Sequence, residues 1–167
     1  MSGQTYLITG ANRGIGKVIL ATYLLRPNNT VIAAVRDVAS SQKDLASVPV
    51  GKDSKLIIIK IDSTSETDPA AAAAELSSKY GIQKIDVLIS NAGIMPTAAI
   101  VPALKTETKH VRDIFEVNTV GPLLLIQAFI GLLSASSNPR FFVITSAIGS
   151  IALLGEYNVP FFAYGLR

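Results

Sequence analysis

Thr9-Gly10-Ala11-Asn12-Arg13-Gly14-Ile15-Gly16 is the stretch on which the reading of this chain turns. The apolar run Tyr6-Leu7-Ile8-Thr9 before it reads as a short buried strand. After it, Ile15, Val18, Ile19, Thr22 and Leu25 fall at helical spacing, which predicts a helix over Gly14 to Arg26. Glycines at Gly-x3-Gly-x-Gly spacing let the chain turn sharply and let a ligand approach the backbone. The helix start behind them offers unpaired N–H groups and the positive end of a dipole. A strand, a glycine loop and a helix in this order make a seat for a pyrophosphate; the same residues without that context make only a tight turn.

Working outward, strands and helices alternate. Thr30–Val35, Leu56–Ile61, Ile85–Ser90 and Phe141–Thr145 read as further strands, rich in β-branched and apolar residues. A helix is expected to begin after Asp68 as cap with Pro69 in its first turn, to run through five alanines and to stop near Gly81. Glu107 to about Ser134 reads as helical with a break at Gly121-Pro122. Short connections between alternating elements point to a parallel sheet covered on both faces. The length, 167 residues, suits one domain.

Composition narrows the function. Hydrophobic residues make up 49% and charged ones 16%, which excludes a disordered chain. The formal charge is +3, from 15 Lys and Arg against 12 Asp and Glu, and the basic residues are scattered among few aromatics, so no nucleic-acid partner is expected. The absence of Cys excludes thiol catalysis, a disulfide framework and a Cys-based zinc site, and a single histidine, His110, makes no metal site. The start lacks the basic and apolar parts of a signal peptide, so a cytoplasmic location is expected. Val117–Pro139 is uncharged and long enough to span a bilayer, but Asn118, Gly121, Pro122, Gln127 and Gly131 within it favour a core or interface helix, and no membrane partner is expected.

Five motifs in order resemble the short-chain dehydrogenase/reductase family. The glycine loop resembles its cofactor loop; Ser90-Asn91-Ala92-Gly93 resembles its Asn-Asn-Ala-Gly motif; Asn118 in Val-Asn-Thr-Val-Gly resembles its helix Asn. Thr145-Ser146-Ala147-Ile148-Gly149 resembles its catalytic-serine strand end, and Ala163-Tyr164-Gly165 the opening of Tyr-x3-Lys. Leu24–Pro27 and Ser65–Asp68 resemble the norsolorinic acid ketoreductase-like members and the small carbonyl reductases. The resemblance implies an α/β fold, a Rossmann-type doubly wound parallel sheet of about five strands, incomplete at its C-terminal edge, with residues 1–167 forming a single dinucleotide-binding domain.

The resemblance also assigns residues. Gly10, Asn12, Arg13, Gly14, Ile15 and Gly16 would hold the pyrophosphate, Asp62 the adenine, and Asn91, Ala92 and Gly93 the adenine ribose. An acid just after the second strand selects NAD(H), and a basic residue accepts the 2′-phosphate of NADP(H). Val35 occupies the usual acid position and Arg36 follows; with Arg13, two guanidinium groups converge on a dianion, so NADP(H) is preferred. Asp37, two positions along, is the counter-signal for NAD(H). In the implied reduction of a ketone, which could be an aromatic polyketide, Tyr164 gives the proton, Ser146 binds the substrate oxygen and Asn118 holds a relay water. The family's lysine would fall at residue 168, and a rival tyrosine, Tyr157, has Phe161 four residues on. The sequence thus reads as the N-terminal cofactor-binding portion of a reductase, inactive alone, whose full-length relatives form homo-oligomers. The alternatives are a non-catalytic dinucleotide-binding fragment and a protein that pairs with full-length homologues.

Overall fold

The computed structural model describes residues 3–150, which form a five-stranded sheet with helices on both faces. The strands are β1 (Thr5–Thr9), β2 (Thr30–Val35), β3 (Lys55–Lys60), β4 (Val87–Ser90) and β5 (Arg140–Val143). All pairings are parallel and the order is β3-β2-β1-β4-β5. The helices are α1 (Gly14–Leu24), α2 (Val38–Leu45), α3 (Asp68–Tyr80), α4 (Thr108–Phe115) and α5 (Gly121–Ser134).

Strand residues alternate between two cores, as the two-residue period of a strand requires. Tyr6, Ile8, Val31, Ala33, Val87 and Ile89 face α1 and α2, packing on Leu20, Leu24 and Leu45. Leu7, Ile32, Ala34, Ile57, Ile59 and Leu88 face α3 and α5, packing on Leu76, Leu125, Phe129 and Leu133. Both faces are buried, which is why these strands read as continuous apolar runs. The chain leaves β1 toward β2 on one side, and after β3 it crosses to β4 on the other. Its connections therefore diverge at the carboxyl ends of β1 and β4, where an open α/β sheet forms a crevice.

Four local expectations change. The helix α2 was not expected: Val38-Ala-Ser-Ser-Gln-Lys-Asp-Leu45 carries little apolar surface and buries only Ser41 and Leu45. Asp68 is not the cap of α3 but its first residue; its carboxylate accepts the backbone N–H of Asp62 (3.0 Å) and pairs with Lys60 (3.1 Å). The interruption of the long helix lies before Pro122, as a π turn over Glu116–Val120. Proline has no N–H and crowds the carbonyl four residues back, here that of Asn118; a wider turn relieves that crowding. The strand β5 ends at Val143, although the N–H of Ile144 still donates to Ser90 O (2.9 Å).

The stretch Thr108–Ser134 is long and apolar enough to cross a membrane by length and composition. Within it, α5 places Leu125, Phe129 and Leu133 in the core beneath the sheet.

Candidate functional site

A cleft of about 830 Å³ opens at the carboxyl ends of the strands. Its wall contains Gly10, Asn12, Arg13, Gly14 and Ile15 after β1, Arg36 after β2, Asp62 after β3, Asn91, Ala92 and Gly93 after β4, and Asn118 in the π turn. Stretches as far apart in sequence as Gly10 and Thr145 therefore meet at the switch point of the sheet.

The loop after β1 is built from close approaches. The N–H of Gly10 continues the ladder to Ala34 O (2.9 Å). Gly16 does not line the cleft; a Cβ there would lie 2.3 Å from Gly10 O and 2.4 Å from the Asn91 amide nitrogen, so α1 can pack against the loop only through glycine. Gly14 has φ +54° and nothing within 4 Å of where its Cβ would be, leaving its outer side open. No side chain caps the start of α1 and its first turn carries no acid, so its leading N–H groups remain available to an anion. An open backbone cradle, an uncapped helix start and two arginines in one cleft fit the pyrophosphate and phosphates of a dinucleotide.

The loop after β4 is bound to the loop after β1. Thr9 Oγ1 accepts the N–H groups of both Asn91 and Ala92 (3.0 Å each). The Asn91 amide donates to Thr9 O (2.9 Å) and Gly10 O (3.3 Å). Asn91 thus steadies the central strands, while Ala92 and Gly93 form the cleft wall beyond it.

Arg13 and Arg36 are exposed and both line the cleft. Asp37 lines it as well, but its carboxylate caps α2 by accepting the N–H of Ser40 (3.2 Å). That bond, ahead of the smaller influence of Arg36, holds the Asp37 carboxyl below the usual carboxylate range. Asp62 Oδ1 accepts the N–H (3.0 Å) and hydroxyl (2.8 Å) of Thr64, shaping the turn after β3.

The Asn118 side chain engages Ile94 at both ends: Oδ1 accepts the Ile94 N–H and Nδ2 donates to Ile94 O, each at 2.9 Å. It clamps the segment after β4 to the π turn, so the water expected there meets an amide with one lone pair and one N–H left. Ser146 is half-buried just past Thr145, which lines the cleft, and its carbonyl accepts the Gly149 N–H (3.0 Å). Tyr164 and Tyr157 lie outside the described residues. The sequence reading missed Ser40, Ser63, Thr64, Ile94 and Pro122 in the cleft wall. Ser63, Thr64 and Ile94 lie in connections and Pro122 in the first turn of α5, all brought to the cleft by long-range packing; only Ser40, in the first turn of α2 three positions after an Asp, carried a local signal, that of a capped helix start.

Residues 4–158 match the model of the short chain dehydrogenase family, and the chain belongs to it. It is 42% identical over 165 residues to norsolorinic acid ketoreductase nor1 of Dothistroma septosporum, covering 97% of this chain and 61% of that one. It is 44% identical over 147 residues to short-chain dehydrogenase RED3 of Pyricularia oryzae, covering 88% and 58%. The chain therefore spans about three-fifths of the length of these relatives. Among solved structures, NADPH-bound carbonyl reductase from chicken fatty liver is similar with a TM-score of 0.80 at 29% identity, over 98% of this chain and 68% of that one. The oxidoreductase yciK from E. coli shares the fold, with a TM-score of 0.82 at 21% identity over 98% and 64%.

Proposed function

We propose that this chain is the cofactor-binding portion of an NADPH-dependent ketoreductase. The observation that carries this reading is the cleft at the switch point, lined by the glycine loop, Arg13, Arg36, Asp62 and Asn91–Gly93. Arg13 and Arg36 supply the positive charge and forked donors that a 2′-phosphate needs. When bound, the reduced nicotinamide supplies a hydride to the carbonyl carbon. Ser146 donates a hydrogen bond to the carbonyl oxygen, and Tyr164 gives a proton to the alkoxide as it forms, so a ketone becomes an alcohol. A tyrosine pKa near ~10 makes it a poor acid at neutral pH unless a cation stabilises its phenolate. A lysine four residues after Tyr164, at position 168, would fill that role and also hold the nicotinamide ribose. The substrate class is a small-molecule ketone; the names of the ketoreductase relatives favour an aromatic polyketide.

The first test titrates NADPH and NADH onto the protein and onto Arg36→Ala. The expected outcome is preference for NADPH, with a loss of about 1.5–3 kcal/mol for NADPH alone in the variant, the scale of a charged hydrogen bond. Equal affinity of the parent for both cofactors sinks the preference. The second test compares turnover of the 1–167 polypeptide with that of one extended by its natural downstream residues, on quinones and aromatic ketones. The short polypeptide is expected to bind cofactor without appreciable turnover, because misalignment forfeits several of the roughly 7–11 kcal/mol available from positioning. Comparable rates sink the role given to the lysine.

A second reading rests on the apolar groove between α1 and β5, lined by Val18, Ile19, Tyr23, Phe142 and Ile144. In it the chain binds the dinucleotide without catalysis and pairs with full-length homologues. Co-purification with such a homologue, without turnover by the short chain, is its expected signature.

A further inference from the structure

Asp37 stands on the cleft wall beside Arg36 and Ser40, at the corner where β2 turns into α2. A carboxylate in that place has two opposite uses. Free, it would accept the hydroxyls of an unphosphorylated ribose and repel a 2′-phosphate. Engaged, it is a fixture of the corner.

The hydrogen bonds decide between them. One Asp37 carboxylate oxygen accepts the Ser40 N–H (3.2 Å). The Asp37 carbonyl accepts the hydroxyl of Ser41 (2.6 Å) and its N–H (3.2 Å), and Ser41 is fully buried. The corner is thus held by the side chain and the backbone of the same residue. The Ser40 hydroxyl, by contrast, is exposed on the cleft wall; it reaches the Asp37 carbonyl at 3.4 Å and also favours the Asp37 carboxylate, exposed contacts that it can exchange for a ligand oxygen.

Building on the NADPH reading above, we propose that Asp37 is the positioning residue for the 2′-phosphate. By capping α2 it fixes the corner that presents Arg36 and Ser40 together, and Ser40 gives its hydroxyl to the phosphate that Arg36 neutralises. The residue that in isolation signals NAD(H) thereby serves NADP(H). Asparagine caps a helix as well as aspartate does, and alanine does not. Substitution therefore separates capping from charge.

The experiment measures affinity for NADPH and NADH in the parent, Asp37→Ala, Asp37→Asn and Ser40→Ala. Circular dichroism and urea unfolding establish that each variant is folded. Asp37→Ala is expected to weaken NADPH binding fivefold or more while NADH binding stays within twofold, and Asp37→Asn to restore the parent's preference. Ser40→Ala is expected to weaken NADPH binding threefold or more, again without effect on NADH. The positioning role is overturned if Asp37→Asn weakens NADH binding fivefold, since the carboxylate then reads a ribose. It is equally overturned if Asp37→Asn strengthens NADPH binding fivefold, since the carboxylate then repels the phosphate. Should Asp37→Ala fail to fold, Ser40→Ala decides, and an unchanged NADPH affinity there overturns the proposal. A parent with no preference for NADPH removes the underlying reading as well; a parent with the preference and aberrant variants removes only the role of Asp37.

Discussion

Thr9 holds two loops with one hydroxyl. Its Oγ1 takes the N–H groups of Asn91 and Ala92, and the residue itself is 4% exposed. Replacing it with isosteric Val leaves two amides without that acceptor. A fully buried unsatisfied group costs about 1–3 kcal/mol and these two half-buried amides less, so Thr9→Val is expected to cost roughly 2–4 kcal/mol in urea unfolding. The two inner glycines of the loop differ in the same physical terms. Gly16→Ala drives a methyl into Gly10 O and the Asn91 amide and is expected to destabilise the fold itself. Gly14→Val meets open space and is expected to cost only the left-handed backbone penalty, about 1–2 kcal/mol, while abolishing dinucleotide binding in titrations. The glycine spacing was legible because the turn and helix it serves are local. The partnership of Thr9 with Asn91 was not, because nothing near residue 9 announces a residue 82 positions away.

Among the elements, those with strong periodicity or apolar content were legible and those without were not. The five strands appear close to where their apolar runs placed them, and in β1, β2 and β4 burial on both faces demands such runs. The helix α2 escaped because it is surface-lying, and its best signal was the cap at Asp37, read instead as a clue to the cofactor. The π turn escaped because Pro122 marks a disturbance without saying on which side it is absorbed. At the opposite end of the sheet, Asp86 joins several elements. Its carboxylate accepts Ser136 Oγ (2.6 Å), Lys84 Nζ (2.8 Å) and the N–H of Thr5 (2.8 Å), and it is 4% exposed. Burial pushes its pKa up, but the Lys84 ammonium and the Ser136 and Thr5 bonds outweigh burial and leave it below the ordinary value. A carboxyl with a lowered folded pKa stabilises the protein above its unfolded pKa, about 3.9, and loses that contribution as the pH falls through the folded value. Urea midpoints from pH 7 to 3 are therefore expected to fall at the acid end. Asp86→Asn is expected to lower the pH 7 midpoint and flatten that acid limb. Asp68, lowered in the same way by the Asp62 N–H and Lys60, keeps part of it.

At the scale of the molecule, the order β3-β2-β1-β4-β5 has a temporal meaning. The first three strands neighbour one another in sequence and close short loops. The strand β4 must travel back past β3 and α3 to pair with β1, and the entropy of closing so long a loop is met before its contacts form. The cleft straddles that late seam, with Gly10–Ile15 on one side and Asn91–Gly93 on the other. A dinucleotide therefore has nothing complete to bind until that long-range pairing is made. Its binding is expected to leave the refolding rate unchanged and to slow unfolding, with a stabilisation of about 2.7 kcal/mol at a hundredfold excess over Kd. Stopped-flow refolding and unfolding with and without NADPH measures this directly, and a cofactor-accelerated refolding phase contradicts it. The nucleotide acts as a latch on a finished chain, not as a template for an unfinished one.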